Sequence, residues 1–224
     1  MRLKIDLHVH TSYSDGSGSV KEVIEVAERK GLDGLAITDH NMLDGYFEAK
    51  SYSSRLIILP GYEVSTDAGH MLVIGLEEYL PPSIKSSGMA LYSKVVDWVR
   101  LNGGLSILAH PATERFKMDK WMRNKPDAVE VLNSLYPLNY FVRRGLRLSS
   151  ALGVASVGGS DAHKPADVGN AYTIVDLNGS SIEDGVKKAI KAGRSLYGGS
   201  LSPAATRLRV GIGFLLSTLI QSIT

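Results

Sequence analysis

The opening residues alternate between apolar and polar. Ile5, Leu7 and Val9 interleave with Asp6, His8 and His10, the period of two that marks a strand with unlike faces. Val20, Val23, Ile24, Val26 and Ala27 then recur at helical spacing. Ser19 and Glu22 form a capping-box pair before them, and Gly31 supplies a stop. Gly34 to Thr38 reads as a short buried strand ending at Asp39-His40-Asn41. This stretch predicts a βαβ unit with His40 at a strand's C-terminal end.

The alternation of elements continues. Leu56 to Leu59 is an apolar run leading into Pro60-Gly61-Tyr62-Glu63-Val64-Ser65, and His70 to Gly75 predicts a strand that starts, rather than ends, on its histidine. Ala90 to Leu101 predicts a helix with Leu91, Val95, Trp98 and Val99 on one face. Leu105–Ala109, Ala128–Leu132 and Val154–Val157 predict strands that end near His110, Asn133 and Asp161. A helix over 138–152 separates the last two, with Arg143, Arg144 and Arg147 expected on a solvated face. Ala171 to Val175 is a late strand, and Ser181 to Ala192 a helix ended by Gly193. Strands alternating with helices predict an α/β fold, either a parallel barrel or a doubly wound sheet.

The closing stretch, 208–223, places Leu208, Ile212, Leu215, Leu219 and Ile223 at helical spacing. Ser217, Thr218 and Gln221 break it, leaving it short of the roughly 20 apolar residues a membrane span needs. It predicts a helix packed on the rest of the protein; a homo-oligomer contact and an interfacial membrane helix are the alternatives.

Composition narrows the chemistry. At 224 residues and 44% hydrophobic, the chain can bury a sizeable core. A net charge of +2 and an aromatic content of 7% argue against long nucleic acid as a partner, since that calls for a basic groove with stacking rings. With no cysteine, disulfides and thiolate metal sites are excluded, and any metal is held by nitrogen and oxygen. Met1 to Asp6 leads straight into the first strand without a signal-peptide pattern, so a cytoplasmic location is expected.

The six histidines are His8, His10, His40, His70, His110 and His163; five sit at or near the C-terminal ends of predicted strands, and none lies in a predicted helix. In a parallel barrel those ends converge on one face. Asp15, Glu63 and Asp161 occupy similar positions, making nine candidate ligands. That is far more than one four-coordinate site uses, so two or three divalent ions with shared ligands are expected. Glu63 is the best bridging candidate, because a carboxylate has two oxygens to offer. Asp39 and Asp6 read as groups that orient the neighbouring ligands.

In order and spacing, His8-Val9-His10 with Ser14-Asp15-Gly16, Thr38-Asp39-His40-Asn41, Gly61-Tyr62-Glu63, Ala109-His110-Pro111 and Gly159-Ser160-Asp161-Ala162-His163 resemble the PHP (polymerase and histidinol phosphatase) family. Val168 to Gly199 resembles the extension that follows this domain in stand-alone members of predicted phosphoesterase type. The resemblance implies a distorted (β/α)7 barrel core over 1–165 and its completion and extension over 166–200; the apolar tail over 201–224 lies outside it and is expected to be a packed helix. It also implies a trinuclear centre of manganese, zinc or iron. His8, His10, Glu63 and Asp161 would hold one ion, Glu63, His70 and His110 a second, and Asp15, His40 and His163 a third.

Such a centre suits phosphoester hydrolysis by a metal-activated hydroxide, with Glu63, Asp161 and His163 as the expected catalytic groups. Arg115, Lys164 and Asn133 are the candidate substrate contacts. The expected substrate is a small phosphorylated metabolite or a nucleotide, attacked as a phosphomonoester. An exonuclease on short oligonucleotides is the alternative within this chemistry. An amidohydrolase-like enzyme and a non-catalytic, metal-stabilised accessory module are the alternatives outside it.

Overall fold

The computed structural model describes residues 1–208 apart from 53, 87–88 and 178–181. The helix expected over 208–223 therefore lies outside the described residues beyond Leu208. Among the described residues, no helix is long and apolar enough to cross a membrane.

In chain order, β1 (Arg2–Val9) leads to α1 (Val20–Arg29), β2 (Gly34–Ile37), α2 (Asp44–Ser51) and β3 (Ile57–Leu59). β4 (Gly61–Thr66) and β5 (Gly69–Ile74) form a hairpin, followed by the short strands β6 (Lys85–Ser86) and β7 (Met89–Ala90) and by α3 (Tyr92–Leu101). Then come β8 (Leu105–Leu108), α4 (Met118–Arg123), β9 (Ala128–Asn133), α5 (Asn139–Leu152) and β10 (Ala155–Gly159). β11 (Ala171–Asp176), α6 (Ile182–Lys191) and β12 (Ser195–Gly199) complete the described elements.

The fold is mixed α/β, as its strand–helix alternation predicts. The strands form two sheets, ordered β12-β11-β1-β2-β3 and β10-β9-β8-β5-β4-β7-β6. Single bridges tie the sheets together at two places, Val9 to Ala162 and His40 to Glu63. At the first, Asp161 N–H donates to His8 O at 2.8 Å and His10 N–H to Ala162 O at 3.0 Å. At the second, Asn41 N–H donates to Glu63 O at 2.9 Å. The end of β10 thus lies beside β1, and β4 beside the end of β2, so the two sheets meet at both places.

Strand direction departs from the all-parallel expectation. β5 runs antiparallel to both β4 and β8, and β11 antiparallel to β1. The reversal of β5 explains the odd placement of His70. A reversed strand begins where its neighbours finish, and His70 pairs with Ser65 while the next residue, Met71, pairs with Leu108. β4, α2 and β12 have no counterpart among the sequence expectations. Pro60-Gly61 obscures the start of β4, and α2 buries only Gly45, Tyr46 and Ala49, without a long aliphatic stripe.

The apolar core wraps a polar interior. Leu3, Ile5 and Leu7 of β1 pack with Leu105, Ile107, Val186 and Ile190, and Val129 and Val131 of β9 pack with Leu148 and Leu152 of α5. The expected capping box of α1 is present: Glu22 N–H donates to Ser19 Oγ at 3.3 Å, and Ser19 N–H to Glu22 Oε2 at 2.8 Å. Arg143 and Arg147 are exposed as expected, but Arg144 turns inward. Its guanidinium donates to the carbonyls of Ala112 and Glu114 and lies 4.2 Å from the Phe116 ring centroid, fastening the loop after β8 to α5.

Gly145 lets α5 approach β9 closely: a Cβ there would lie 3.0 Å from Val131 Cα and 3.2 Å from its carbonyl oxygen. Backbone cannot yield as a flexible side chain can. Gly145→Leu should lower unfolding free energy by about 1–3 kcal/mol, the usual cost of overpacking, despite the roughly 0.5–1 kcal/mol recovered on removing a helical glycine. Urea denaturation with metal chelated throughout measures it, and unchanged stability would show that α5 does not sit this close.

Candidate metal centre

The strand ends deliver the polar residues. His8 lies on β1 with His10 just past it, His40 follows β2, Glu63 lies within β4, His70 is the second residue of β5, His110 follows β8, and Asp161 and His163 follow β10. Asp15 comes from the loop between β1 and α1. All nine candidate ligands come together. Glu63 sits at their middle and is 1% exposed. Its Oε1 lies 3.0 Å from His70 Nδ1 and 3.0 Å from His110 Nε2. Its Oε2 lies 3.3 Å from His8 Nε2, 3.3 Å from His10 Nε2 and 3.4 Å from His40 Nδ1.

Three groups of donors can be distinguished. His8 Nε2 and His10 Nε2 are 3.1 Å apart, and each lies 3.3–3.4 Å from Glu63 Oε2 and Asp161 Oδ1. Ligands about 2.1 Å from a single ion stand about 3.4 Å apart along the edges of a tetrahedron, so these separations suit a shared cation. Glu63, His70 and His110 form a second group. In a third, Asp15 Oδ2 is 3.1 Å from His163 Nε2 and 3.5 Å from His40 Nε2, while Asp15 Oδ1 is 3.5 Å from His10 Nδ1.

The donor set fits divalent ions on a further count. His10 Nδ1 is buried without a hydrogen-bond partner. An orphaned buried polar atom costs about 1–3 kcal/mol; this one lies beside the third group, 3.5 Å from Asp15 Oδ1, where a cation would satisfy it, while Nε2 of the same ring belongs to the first group. A nitrogen-and-oxygen shell accepts manganese, zinc or iron alike.

Behind the ligands stands a residue that sequence reasoning missed. Glu130, 1% exposed in the middle of β9, accepts from His8 Nδ1 at 3.0 Å through Oε1. Its Oε2 accepts from His110 N–H at 2.8 Å and from Asn133 Nδ2 at 3.0 Å. The only signal was a carboxylate in the apolar run Ala128-Val129-Glu130-Val131-Leu132. With Nδ1–H of His8 given to Glu130, its Nε2 lone pair is left for a cation.

The remaining polar neighbours hold the loops. Asp39 accepts from Thr11 N–H at 2.8 Å, Thr11 Oγ1 at 2.6 Å and Ser14 Oγ at 2.6 Å, fixing the loop that leads to Asp15. Asp6 accepts from the backbone N–H of Ser160 at 2.9 Å and of Gly169 at 2.8 Å. His163 Nδ1–H donates to Asp161 O at 2.9 Å, which directs its Nε2 towards Asp15. The non-glycine residues with positive φ, among those described, are Asn41, His110 and Asp161 at 59°, 30° and 54°. Each follows a strand end at the site. Such conformations cost of order 1 kcal/mol or more and are held here by the bonds just described.

The candidate substrate contacts fall into two kinds. Arg115 and Lys164 are exposed and make no ion pair among the described residues. Asn133 is buried and hydrogen-bonded: Nδ2 donates to Glu130 and to Asp161 Oδ2, each at 3.0 Å, and Oδ1 accepts from Leu135 N–H at 2.9 Å.

Charge follows from crowding. Burial pushes His10 and His110 down, but Glu63 and Asp161 outweigh it and hold both at about 9. Burial of His8 is likewise outweighed by Asp161, Glu130 and Glu63, which raise it well above the usual imidazole value. In return, although burial opposes it, the imidazoles hold Glu63, Asp161 and Asp15 below the usual carboxylate range.

With this geometry in view, comparison with known proteins is informative. The chain matches the PHP domain over residues 6–143 and the PHP-associated region over residues 140–195. It belongs to the PHP domain family. An uncharacterized protein of Methanocaldococcus jannaschii is 28% identical over 149 residues, 60% of this chain and 84% of that protein. A phosphoribosyl 1,2-cyclic phosphate 1,2-diphosphodiesterase of Eggerthella lenta is 36% identical over 94 residues, 38% of this chain and 36% of that one. A 3',5'-nucleoside bisphosphate phosphatase of Chromobacterium violaceum is 36% identical over 83 residues, 34% of this chain and 29% of that one. The alignments thus span about a third of each named enzyme. Among solved structures, a two-domain protein from Bacteroides vulgatus containing a predicted PHP-like metal-dependent phosphoesterase superposes with a TM-score of 0.73. That match is 19% identical and covers 89% of this chain and 65% of that one.

Two outcomes follow from this geometry. Glu130→Gln should weaken binding of Mn2+ or Zn2+ about 10- to 100-fold, the usual effect of removing a ligand's supporting carboxylate. Competition with a chelating dye reads it, and unchanged affinity would show that Glu130 does not support the ligands. The second outcome concerns pH. His10 and His110 have folded pKa values above the ordinary 6.5, so their contribution is full below 6.5 and is lost as pH rises through about 9. Glu63, Asp161 and Asp15 are depressed, so theirs is full above 4.5 and is lost in acid. Metal-free protein should be most stable between those limits and should release protons on metal loading near pH 7.5. Calorimetric melting across pH and proton release into weak buffer check the pair.

Proposed function

We propose that this chain hydrolyses small phosphate monoesters, a phosphorylated metabolite or a nucleotide, using two to three divalent ions held by the nine converging ligands. The enzyme is a metal-dependent phosphoesterase of the PHP family, a hydrolase acting on phosphoric ester bonds. One observation carries the reading: a buried carboxylate, Glu63, shares its two oxygens among five imidazoles. That is an arrangement for bridging cations and far exceeds what a structural site requires.

In this reading His8, His10, Glu63 and Asp161 hold one ion, Glu63, His70 and His110 a second, and Asp15, His40 and His163 a third. Bound together, divalent ions lower the pKa of water towards neutrality and draw phosphoryl oxygens into place. The protein's own groups prepare the site for this. Glu130 and the Asp161 carbonyl hold the Nδ1 protons of His8 and His163, leaving their Nε2 atoms to ligate. Asn133 holds Asp161 through Nδ2, with one lone pair of its Oδ1 left for substrate. His40, His70 and His163 are 30%, 33% and 31% exposed at the side chain, and Asp15 51%. This is the side from which a phosphate ester would enter. Arg115 and Lys164, exposed and without ion pairs, are free to receive its outer oxygens.

A phosphatase and a phosphodiesterase among the relatives support phosphate-ester chemistry; the modest size of their shared segments leaves the substrate to experiment. Protein loaded with Mn2+ should release phosphate from nucleoside monophosphates or sugar phosphates. EDTA should abolish this, and His10→Ala should reduce it at least 100-fold while the fold is retained. A labelled oligonucleotide cut faster than any monoester would replace the monoesterase with an exonuclease. Trace rates on every phosphate ester with every metal would overturn the reading.

A further inference from the structure

Beyond β12, residues 200–207 stay on the molecule. Ser200 N–H donates to Asn170 O at 2.8 Å, and Ser202 N–H to Ser134 O at 2.7 Å. Ser202 is 2% exposed. Arg207 then folds back, donating to Ser202 O at 2.8 Å and to the carbonyls of Tyr136 and Pro137. Residues 200–207 thus form a strap over the loop that follows β9.

The hydroxyls beneath the strap form a chain whose direction can be deduced. Ser134 Oγ–H donates to Ser160 O at 2.5 Å. Its single proton being used there, the 2.8 Å contact between Ser134 Oγ and Ser202 Oγ has Ser202 as donor. Asn170 Nδ2 in turn donates to Ser202 Oγ at 2.8 Å. The relay therefore runs from Asn170 through Ser202 and Ser134 to the Ser160 carbonyl.

Of the two loops it joins, the one after β10 carries Asp161, and the one after β9 begins beside Asn133, which holds Asp161. Ser134 directly follows Asn133, and Ser160 directly precedes Asp161, while Asn133 Nδ2 donates to Asp161 Oδ2 at 3.0 Å. Asp161 also has a left-handed backbone, φ 54°, which needs such support.

We propose that Ser202 is a remote positioning residue. Through Ser134 and Ser160, the C-terminal strap sets the seat of Asp161 and with it the metal affinity of the centre. This rests on the reading of Asp161 as a ligand. A strap that merely adds stability would contribute to folding and leave metal affinity alone.

The test measures Mn2+ affinity by calorimetry, and melting temperature, on the full chain. Ser202→Ala should weaken Mn2+ binding roughly 5- to 10-fold, at the lower end of effects seen for groups behind ligands, and Ser202→Thr, which keeps the hydroxyl, should restore most of it. Ser195→Ala serves as control: its hydroxyl bonds Ser156 O, at the far end of β10, so affinity should stay unchanged. If Ser202→Ala does not fold, Asn170→Ala, which removes the donor to Ser202, should weaken binding in the same sense. Affinity within twofold of the unaltered chain in Ser202→Ala, or in Asn170→Ala where that stands in, overturns the strap's role, whatever happens to the melting temperature. No Mn2+ binding by the unaltered chain overturns the metal reading itself, and this inference with it.

Discussion

The structure depends on a charge problem at its centre. Five imidazoles face one buried carboxylate, and two further carboxylates share the same space. Such groups are not left in a protein interior without compensation, since each ion removed from water costs several kcal/mol. Here they compensate one another: attraction to the carboxylates outweighs burial and raises His8, His10 and His110 above the usual imidazole value, while the imidazoles hold Glu63 and Asp161 below the usual carboxylate range. Cations would do the same task with fewer protons. The strained backbones at His110 and Asp161, the Glu130 carboxylate behind them and the loop held by Asp39 all follow from keeping these groups at ligand distance.

The sheet arrangement serves that centre. A wholly parallel barrel would bring every strand's C-terminal end to one face; this fold brings its candidate ligands together with β5 reversed among them. β5 delivers His70, its second residue, where its neighbours reach their last. The two bridges that join the ladders, Val9 to Ala162 and His40 to Glu63, fall among the ligands themselves. Closure of the fold and assembly of the site are therefore one event.

Much of this could be read from the sequence. The period of two places His8 and His10 on one face, and turn and strand signals placed His40, His110, Asp161 and His163 near strand ends. What periodicity cannot convey is direction: an apolar run reads the same in a parallel or a reversed strand, so the antiparallel β5 and β11 were not foreseen. Glu130 was hidden for a related reason. Within a short buried strand, one carboxylate breaks an apolar run without showing what waits across the interior, and its partners lie on β1 and after β8. Asn133 was visible as a strand-end amide, but only its neighbours reveal that both its Nδ2 protons are given to Glu130 and Asp161. Arg144 matched a solvated helix face until the loop after β8 folded over it.

The span of the ligand set has a consequence for when the protein acquires its ions. His8 lies near the beginning of the chain, and Asp161 and His163 lie far along it, drawn together only when the end of β10 pairs with β1. A ribosome must therefore release most of the chain before a complete cradle exists. Scattered imidazoles on a nascent chain hold a metal weakly, and it is the closed fold that holds it well. The choice of ion is thus left to the finished fold rather than to the nascent chain.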